Sequence, residues 1–166
     1  MKKKKISFDL SVYDEMEDLE INELQLMNKA IAARKNAYAP YSNFQVGAAV
    51  LLKNGEVVIG NNQENASFPA GLCAEGVAVF QAGARFPGVF IHTIAISAAS
   101  KNYTVDKPVA PCGICRQSMS EFEIRQKAPI TLLMMGEKGE VFKCESVANI
   151  LPLGFDGSYL SNDIAI

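Results

Sequence analysis

The sequence has no tryptophan, one histidine and four cysteines, and its 16 basic residues are outnumbered by 18 acids. The formal charge of −2 lacks the basic excess that phosphate contacts to a polynucleotide require, so any nucleotide-like ligand is expected to be small and free. No apolar run approaches the length that spans a bilayer, and no membrane partner is expected. Lys2 to Lys5 could open a signal peptide, but the following "ISFDLSVYDEMEDLE" is broken by acids and holds no continuous apolar segment. A reducing, cytoplasmic location is therefore expected, where closely spaced cysteines serve metal binding or catalysis rather than disulfides. Internal repeats, low-complexity tracts, linkers and a phosphate-binding glycine loop are also missing.

What remains is ordinary globular material: 166 residues, 49% apolar and 20% charged, enough for one domain with a buried core. Residues 1–20 read as a charged N-terminal extension in which Ile6, Phe8, Leu10 and Val12 alternate, compatible with an added edge strand or a mobile arm. One domain is expected over 21–166. Helical spacing of Leu24, Leu26, Met27, Ala30 and Ile31 predicts a first helix from Ile21 to about Ala37, stopped near Pro40. "VGAAVLLKNGEVVIGNN" places two strands around Asn54-Gly55, a strong hairpin signal. A second helix is expected over Leu72 to about Ala84, a buried strand over "HTIAISAAS", a third helix from Cys112 to about Arg125, and a second hairpin from "ITLLMM" and "VFKCE". Two strands flanking a helix imply a crossover and a parallel pair. The expected fold is a three-layer α/β/α domain with a mixed five-stranded sheet.

Chemistry concentrates in "SFPAGLCAEGVAVF" and "PCGIC". Cys112 and Cys115 share one face of a helix start, and Pro111 before them suits a helix N-terminus. Cys73 and Glu75 in a first turn can both converge on a site lying off the helix end, because Cβ bonds tilt toward the N-terminus. Two helix N-termini would offset the excess negative charge of three thiolates around one zinc ion. Three protein ligands with an open fourth position describe a catalytic zinc, which acidifies a bound water beside a carboxylate that is not a ligand.

"NNQENASFPAGLCAE" and "PCGICRQ", with "AYAPYSNFQVGAAV" upstream and "ILPLGF" downstream, resemble the free-nucleoside cytidine deaminases of the three-cysteine type, over about Glu23 to Phe155. The resemblance implies zinc-dependent hydrolytic deamination of cytidine and 2′-deoxycytidine to the uridine products with release of ammonia, a step of pyrimidine salvage. It implies one zinc per subunit on Cys73, Cys112 and Cys115, with Glu75 as proton shuttle. Asn62 and Glu64 would hold a ribose hydroxyl, Phe44 would lie against the nucleoside, and the Ala74 backbone would contact the base. It further implies a homotetramer with shared active sites, in which Phe155 is lent across an interface.

One departure stands out. Many relatives carry arginine directly after the catalytic glutamate, where it hydrogen-bonds the zinc thiolates, and here that position is Gly76. The blasticidin-type deaminases resemble this chain in lacking it, so another aminated nucleoside or base is the alternative substrate. Gly76 leaves the thiolate charge less neutralised unless another donor compensates. Arg116 is a candidate donor, although its place in the usual "CRQ" makes it no special replacement.

Blander readings accompany the sharp one. The cysteines could be buried apolar thiols, or a closed structural site completed by Cys144 in a non-catalytic zinc-stabilised binding module. Cys144, alternating with Phe142, reads as a core residue. "CGIC" could be a redox dithiol, but no tryptophan precedes it. His92 lies outside both cysteine motifs at the opening of a strand and reads as a structural or surface residue.

Overall fold

The computed structural model describes residues 1–160. The last part of the expected 21–166 domain, residues 161–166, lies outside the described residues. In chain order the elements are β1 (Ser11–Tyr13), α1 (Ile21–Arg34), β2 (Phe44–Leu52), β3 (Val57–Asn61), α2 (Ala74–Arg85), β4 (Ile91–Ser100), α3 (Gly113–Gln126), β5 (Thr131–Met135), β6 (Val141–Cys144) and the short α4 (Val147–Ile150).

The strands form one sheet in the order β1-β6-β5-β4-β2-β3. β4 and β5 run parallel, with α3 as their crossover, while all other neighbours are antiparallel. The sheet therefore has six strands, not the expected five. The sixth is β1 from the N-terminal extension, which pairs with the edge of β6 in the register Val12↔Phe142. An alternating strand of three residues carries too weak a periodic signal to separate it from a mobile arm.

Side chains alternate across the sheet and so divide the core in two. Ala49, Ala95 and Leu133 face α1, packing with Leu26, Met27 and Ala30, and Tyr13, Met16 and Leu19 join them. Ala48, Val50, Ile94, Ile96, Leu132 and Met134 face the opposite way, against Ala78 and Val79 of α2 and Met119 of α3. Each large apolar side chain buried in this way contributes about 1.5–3 kcal/mol.

Two glycines set how closely the helices approach. A Cβ on Gly47 would lie 2.1 Å from the Ala30 carbonyl oxygen, and one on Gly60 would lie 2.5 Å from that of Ala74. Both contacts are with helix backbone, which cannot swing aside as a flexible side chain can. Gly60 therefore fixes the height of the first turn of α2 above the sheet, where the chemistry-bearing residues begin.

The helix boundaries shift slightly from expectation. α1 stops at Arg34 rather than Ala37, and Asn36 and Ala37 fold back in a turn onto the Ala33 and Arg34 carbonyls. α2 and α3 begin at Ala74 and Gly113, leaving Cys73 and Cys112 as their N-cap residues in extended backbone. Among the described residues, no helix is long and apolar enough to cross a membrane.

Candidate active site

The two N-cap cysteines and Cys115 from the first turn of α3 converge. Their sulfurs all lie within 4.8 Å of one another, and Cys112 Sγ and Cys115 Sγ are 3.7 Å apart. Zinc–sulfur bonds of about 2.3 Å in a tetrahedron place two sulfurs about 3.8 Å apart, so the donor set fits zinc in both chemistry and spacing. As caps, Cys73 and Cys112 project off the helix ends, and Cys115 returns one turn later on the same side. Both helix N-termini thus contribute positive potential where three thiolates must be held.

Glu75 sits in the first turn of α2 and is only 6% exposed. Burial holds its carboxyl above the ordinary carboxylate range, opposed by hydrogen bonds from its own backbone N–H and the Cys115 thiol. Without a metal ion, Cys73 and Cys115 share a proton: the hydrogen bond from Cys115 lowers Cys73 to about 7, while the same bond and burial push Cys115 upward.

Cys73 also lines a cleft of about 480 Å³, whose wall includes Tyr41, Ser42, Asn62, Glu64, Phe68 and Leu72. Asn62 lies just beyond β3, where its side chain extends the ladder to β2: Oδ1 accepts from Val46 N–H at 2.8 Å and Nδ2 donates to the Phe44 carbonyl at 2.9 Å. Glu64 accepts from the backbone N–H groups of Tyr41 and Ser42 at 2.9 and 3.2 Å, and from the Ser42 hydroxyl. These bonds, the one from the Ser42 side chain foremost, lower its pKa.

The structure thus brings Cys73, Cys112 and Cys115 together and sets Asn62 and Glu64 on the same cleft as Cys73. Phe44, Ala74 and Phe155 are not among the residues lining it. Phe44 opens β2 and is half-buried, and Ala74 is fully buried as the first residue of α2. Phe155 is 55% exposed and stacks on Tyr159 with ring centres 5.5 Å apart, while its carbonyl accepts from Gln117.

Cys144 is buried away from the thiol cluster, its Sγ donating to the Ser146 carbonyl at 3.2 Å. His92 is exposed and its ring nitrogen contacts Thr93 Oγ1. Arg116 does not serve the thiolates through its side-chain hydrogen bonds: Nε donates to the Pro111 carbonyl at 2.7 Å and Nη1 to the Ile150 carbonyl at 2.9 Å. It ties the approach to Cys112 to α4.

Sequence reading missed Ser42 and Gly60. Serine before a turn can hydrogen-bond nearby backbone, and a lone glycine inside a strand marks a close backbone approach, so each had a local signal. Neither signal names the partner across the fold.

Fold and site together define an α/β metalloenzyme of the zinc-dependent deaminase class. The family described as the cytidine and deoxycytidylate deaminase zinc-binding region matches residues 21–129, and the chain belongs to that family. A cytidine deaminase of Halalkalibacterium halodurans is 48% identical over 99 residues, covering 58% of this chain and 68% of the relative. A second, from Sporosarcina psychrophila, is 36% identical over 137 residues, covering 82% and 93%. The crystal structure of a cytidine deaminase from Burkholderia pseudomallei superposes with a TM-score of 0.69 at 40% identity, covering 79% of this chain and 97% of that one.

Proposed function

We propose that the chain hydrolytically deaminates cytidine and 2′-deoxycytidine, yielding uridine and 2′-deoxyuridine with release of ammonia. The observation that carries this reading is a zinc-fitting sulfur cluster whose Cys73 lies two residues before the buried Glu75 and lines the same cleft as Asn62 and Glu64. A metal centre and an amide–carboxylate pair suit the two halves of a pyrimidine nucleoside, a ring carbon open to attack and a sugar rich in hydroxyls.

Cys73, Cys112 and Cys115 are the ligands in this reading. Zinc, when held there, supplies an acidified water as nucleophile. Glu75 takes a proton from the attacking water and delivers it to the ring nitrogen beside the carbon under attack. It then carries the hydroxyl proton to the amino group, the C–N bond breaks, and ammonia leaves as the ring carbonyl forms. The carboxyl's burial suits it to this traffic, because its raised affinity for protons brings it nearer to the groups it serves. Asn62 and Glu64 hold a sugar hydroxyl, Phe44 lies along the base, and the Ala74 backbone meets the base edge.

The same reading assigns the enzyme to the cytoplasm, to pyrimidine salvage and to a homotetramer. Exposed Ile114, Leu153, Phe155, Tyr159 and Leu160 support association, since large apolar side chains gain by being covered. Phe155 then enters a neighbour's site. The enzyme is read as acting on free nucleosides without nucleic acid or membrane partners.

One observation favours a second reading. A Cβ on Gly76 would meet only Phe80 Cε2, at 3.8 Å, so the position is sterically open yet holds no thiolate donor. A deaminase of another aminated nucleoside or base, of the blasticidin type, fits that feature.

Ammonia release by zinc-quantified protein on cytidine, deoxycytidine, cytosine, adenosine, guanine and blasticidin decides between them. Turnover is expected on the first two. Turnover confined to another member of the panel would replace the first reading with the second.

A further inference from the structure

The bonds around Glu64 leave its carboxylate almost saturated. A carboxylate offers about four lone-pair sites. Oε2 takes two backbone N–H groups, from Tyr41 and Ser42, and Oε1 takes the Ser42 hydroxyl, so one site remains and it lies on Oε1. Asn62 is committed in the same way, with Oδ1 on Val46 N–H and Nδ2 on the Phe44 carbonyl, leaving one amide N–H to donate and one lone pair. A hydroxyl that donates to Glu64 Oε1 while accepting from Asn62 Nδ2 uses the last charged acceptor. A second hydroxyl finds none.

Ser42 decides where that last site points. Its hydroxyl oxygen accepts from Phe44 N–H at 2.9 Å, which turns the hydroxyl proton away from its own strand and onto Glu64. The competing acceptor, the Phe44 carbonyl, is 3.5 Å away and too distant to hold the proton instead. Asn43, in left-handed backbone at φ 57°, makes the turn that brings Ser42 Oγ over Phe44 N–H, and its own N–H is bonded to the Ala39 carbonyl. The loop is thereby pinned from both sides. Ser42, Asn62 and Glu64 all line the cleft.

We infer that Ser42 is a positioning and specificity-determining residue: by occupying one lone pair of Glu64 and aiming the other, it restricts the Asn62–Glu64 pair to a single sugar hydroxyl. This rests on the nucleoside reading above. Without the Ser42 proton, Oε1 has two free sites and one fewer restraint, so the carboxylate can turn and its selectivity among hydroxyls falls.

The test uses zinc-loaded full-length protein and four substrates: cytidine and its 2′-deoxy, 3′-deoxy and 5′-deoxy forms. In wild type, one deoxy form is expected to lose kcat/KM by on the order of 10²-fold or more, because a site built to bind a hydroxyl is left unpaired without it, and the other two are expected to lose little. Ser42→Ala is expected to raise KM for cytidine about tenfold, with kcat within about twofold, and to have no effect on the sensitive deoxy form. Ser42→Thr, which keeps the hydroxyl, is expected to restore the wild-type pattern. Zinc content and melting temperature are measured on every variant, and Ser42→Cys, a weak donor of similar size, replaces Ser42→Ala if that protein does not fold.

Two comparably large deoxy losses in wild type overturn the single-hydroxyl restriction. Equal loss on all four substrates in Ser42→Ala reduces Ser42 to a purely structural residue and overturns its role. The wild-type assay reads the underlying function separately. No ammonia from cytidine overturns that reading and this inference together, whereas wild-type turnover with an unchanged Ser42→Ala overturns the inference alone.

Discussion

The thiol cluster and the group around Glu64, which share the cleft through Cys73, are built on different principles. At the thiol end every functional side chain stands on a helix N-terminus laid against the sheet, and Glu75 is almost wholly buried. Around Glu64, by contrast, Ser42, Asn62 and Glu64 lie outside regular elements, and their order comes from hydrogen bonds between side chains and backbone. The first arrangement holds position by packing, which tolerates little adjustment. The second holds it by a few directional bonds, each replaceable by water. In the proposed reading proton transfer falls to the group held by packing and recognition to the group held by directional hydrogen bonds, and both are preorganised.

The comparison can be broken most decisively at Glu75. Glu75→Gln keeps the packing and the sulfur cluster, so zinc content is expected to match wild type while kcat falls by about 10²–10⁴-fold. Metal analysis beside steady-state assay checks this. A variant that loses zinc along with turnover would make Glu75 part of the metal's support rather than its chemistry.

Gly60→Ala tests whether packing sets the thiol end. The added methyl drives into the Ala74 backbone, and a loss of about 1–3 kcal/mol is expected, with weakened zinc retention. Denaturant unfolding with and without chelator reads both. Unaltered zinc affinity in a clearly destabilised protein would separate the metal centre from the sheet beneath it.

Cys144→Ser is expected to do less. The serine hydroxyl can still donate to the Ser146 carbonyl, so the variant should keep its zinc and its turnover and lose about 1 kcal/mol or less of stability. Loss of metal on this substitution would mean a closed four-cysteine site and end the open-position reading.

The smallest effect is expected at Glu64, from pH. Glu64 has a folded pKa below its unfolded value, so its ionisation contributes stability above the unfolded carboxyl range, near about pH 4.3, and that contribution is lost as pH falls through the lowered folded value. Exposure to solvent keeps it small. Melting temperatures of wild type and Glu64→Gln should therefore differ most at neutral pH and converge in acid. A gap that widens in acid would contradict the bonding described for Glu64.

How much was legible beforehand follows the same division. The spacing of Cys112 and Cys115 after Pro111, and of Cys73 and Glu75, is local information, and a helix start converts it directly into a shared direction. Asn62 and Glu64 were singled out by the family resemblance as a pair for a ribose hydroxyl, but their bonding was not readable, because their partners at Tyr41, Ser42 and Val46 lie many residues away. β1 was ambiguous for a related reason: three alternating residues become a strand only if an edge such as that of β6 is available to pair with.

Sequence by itself determined the two cysteine motifs, the helix starts that present them and the parallel pairing around α3, since these depend on turn chemistry and periodicity within short stretches. Only the tertiary structure decided that three thiols from two helices meet, that Arg116 turns to Pro111 and Ile150, and that the Ser42 hydroxyl donates to Glu64. Periodicity sets which way a side chain faces along its own element, but distance between elements is set by packing, and hydrogen bonds form only after that distance is fixed.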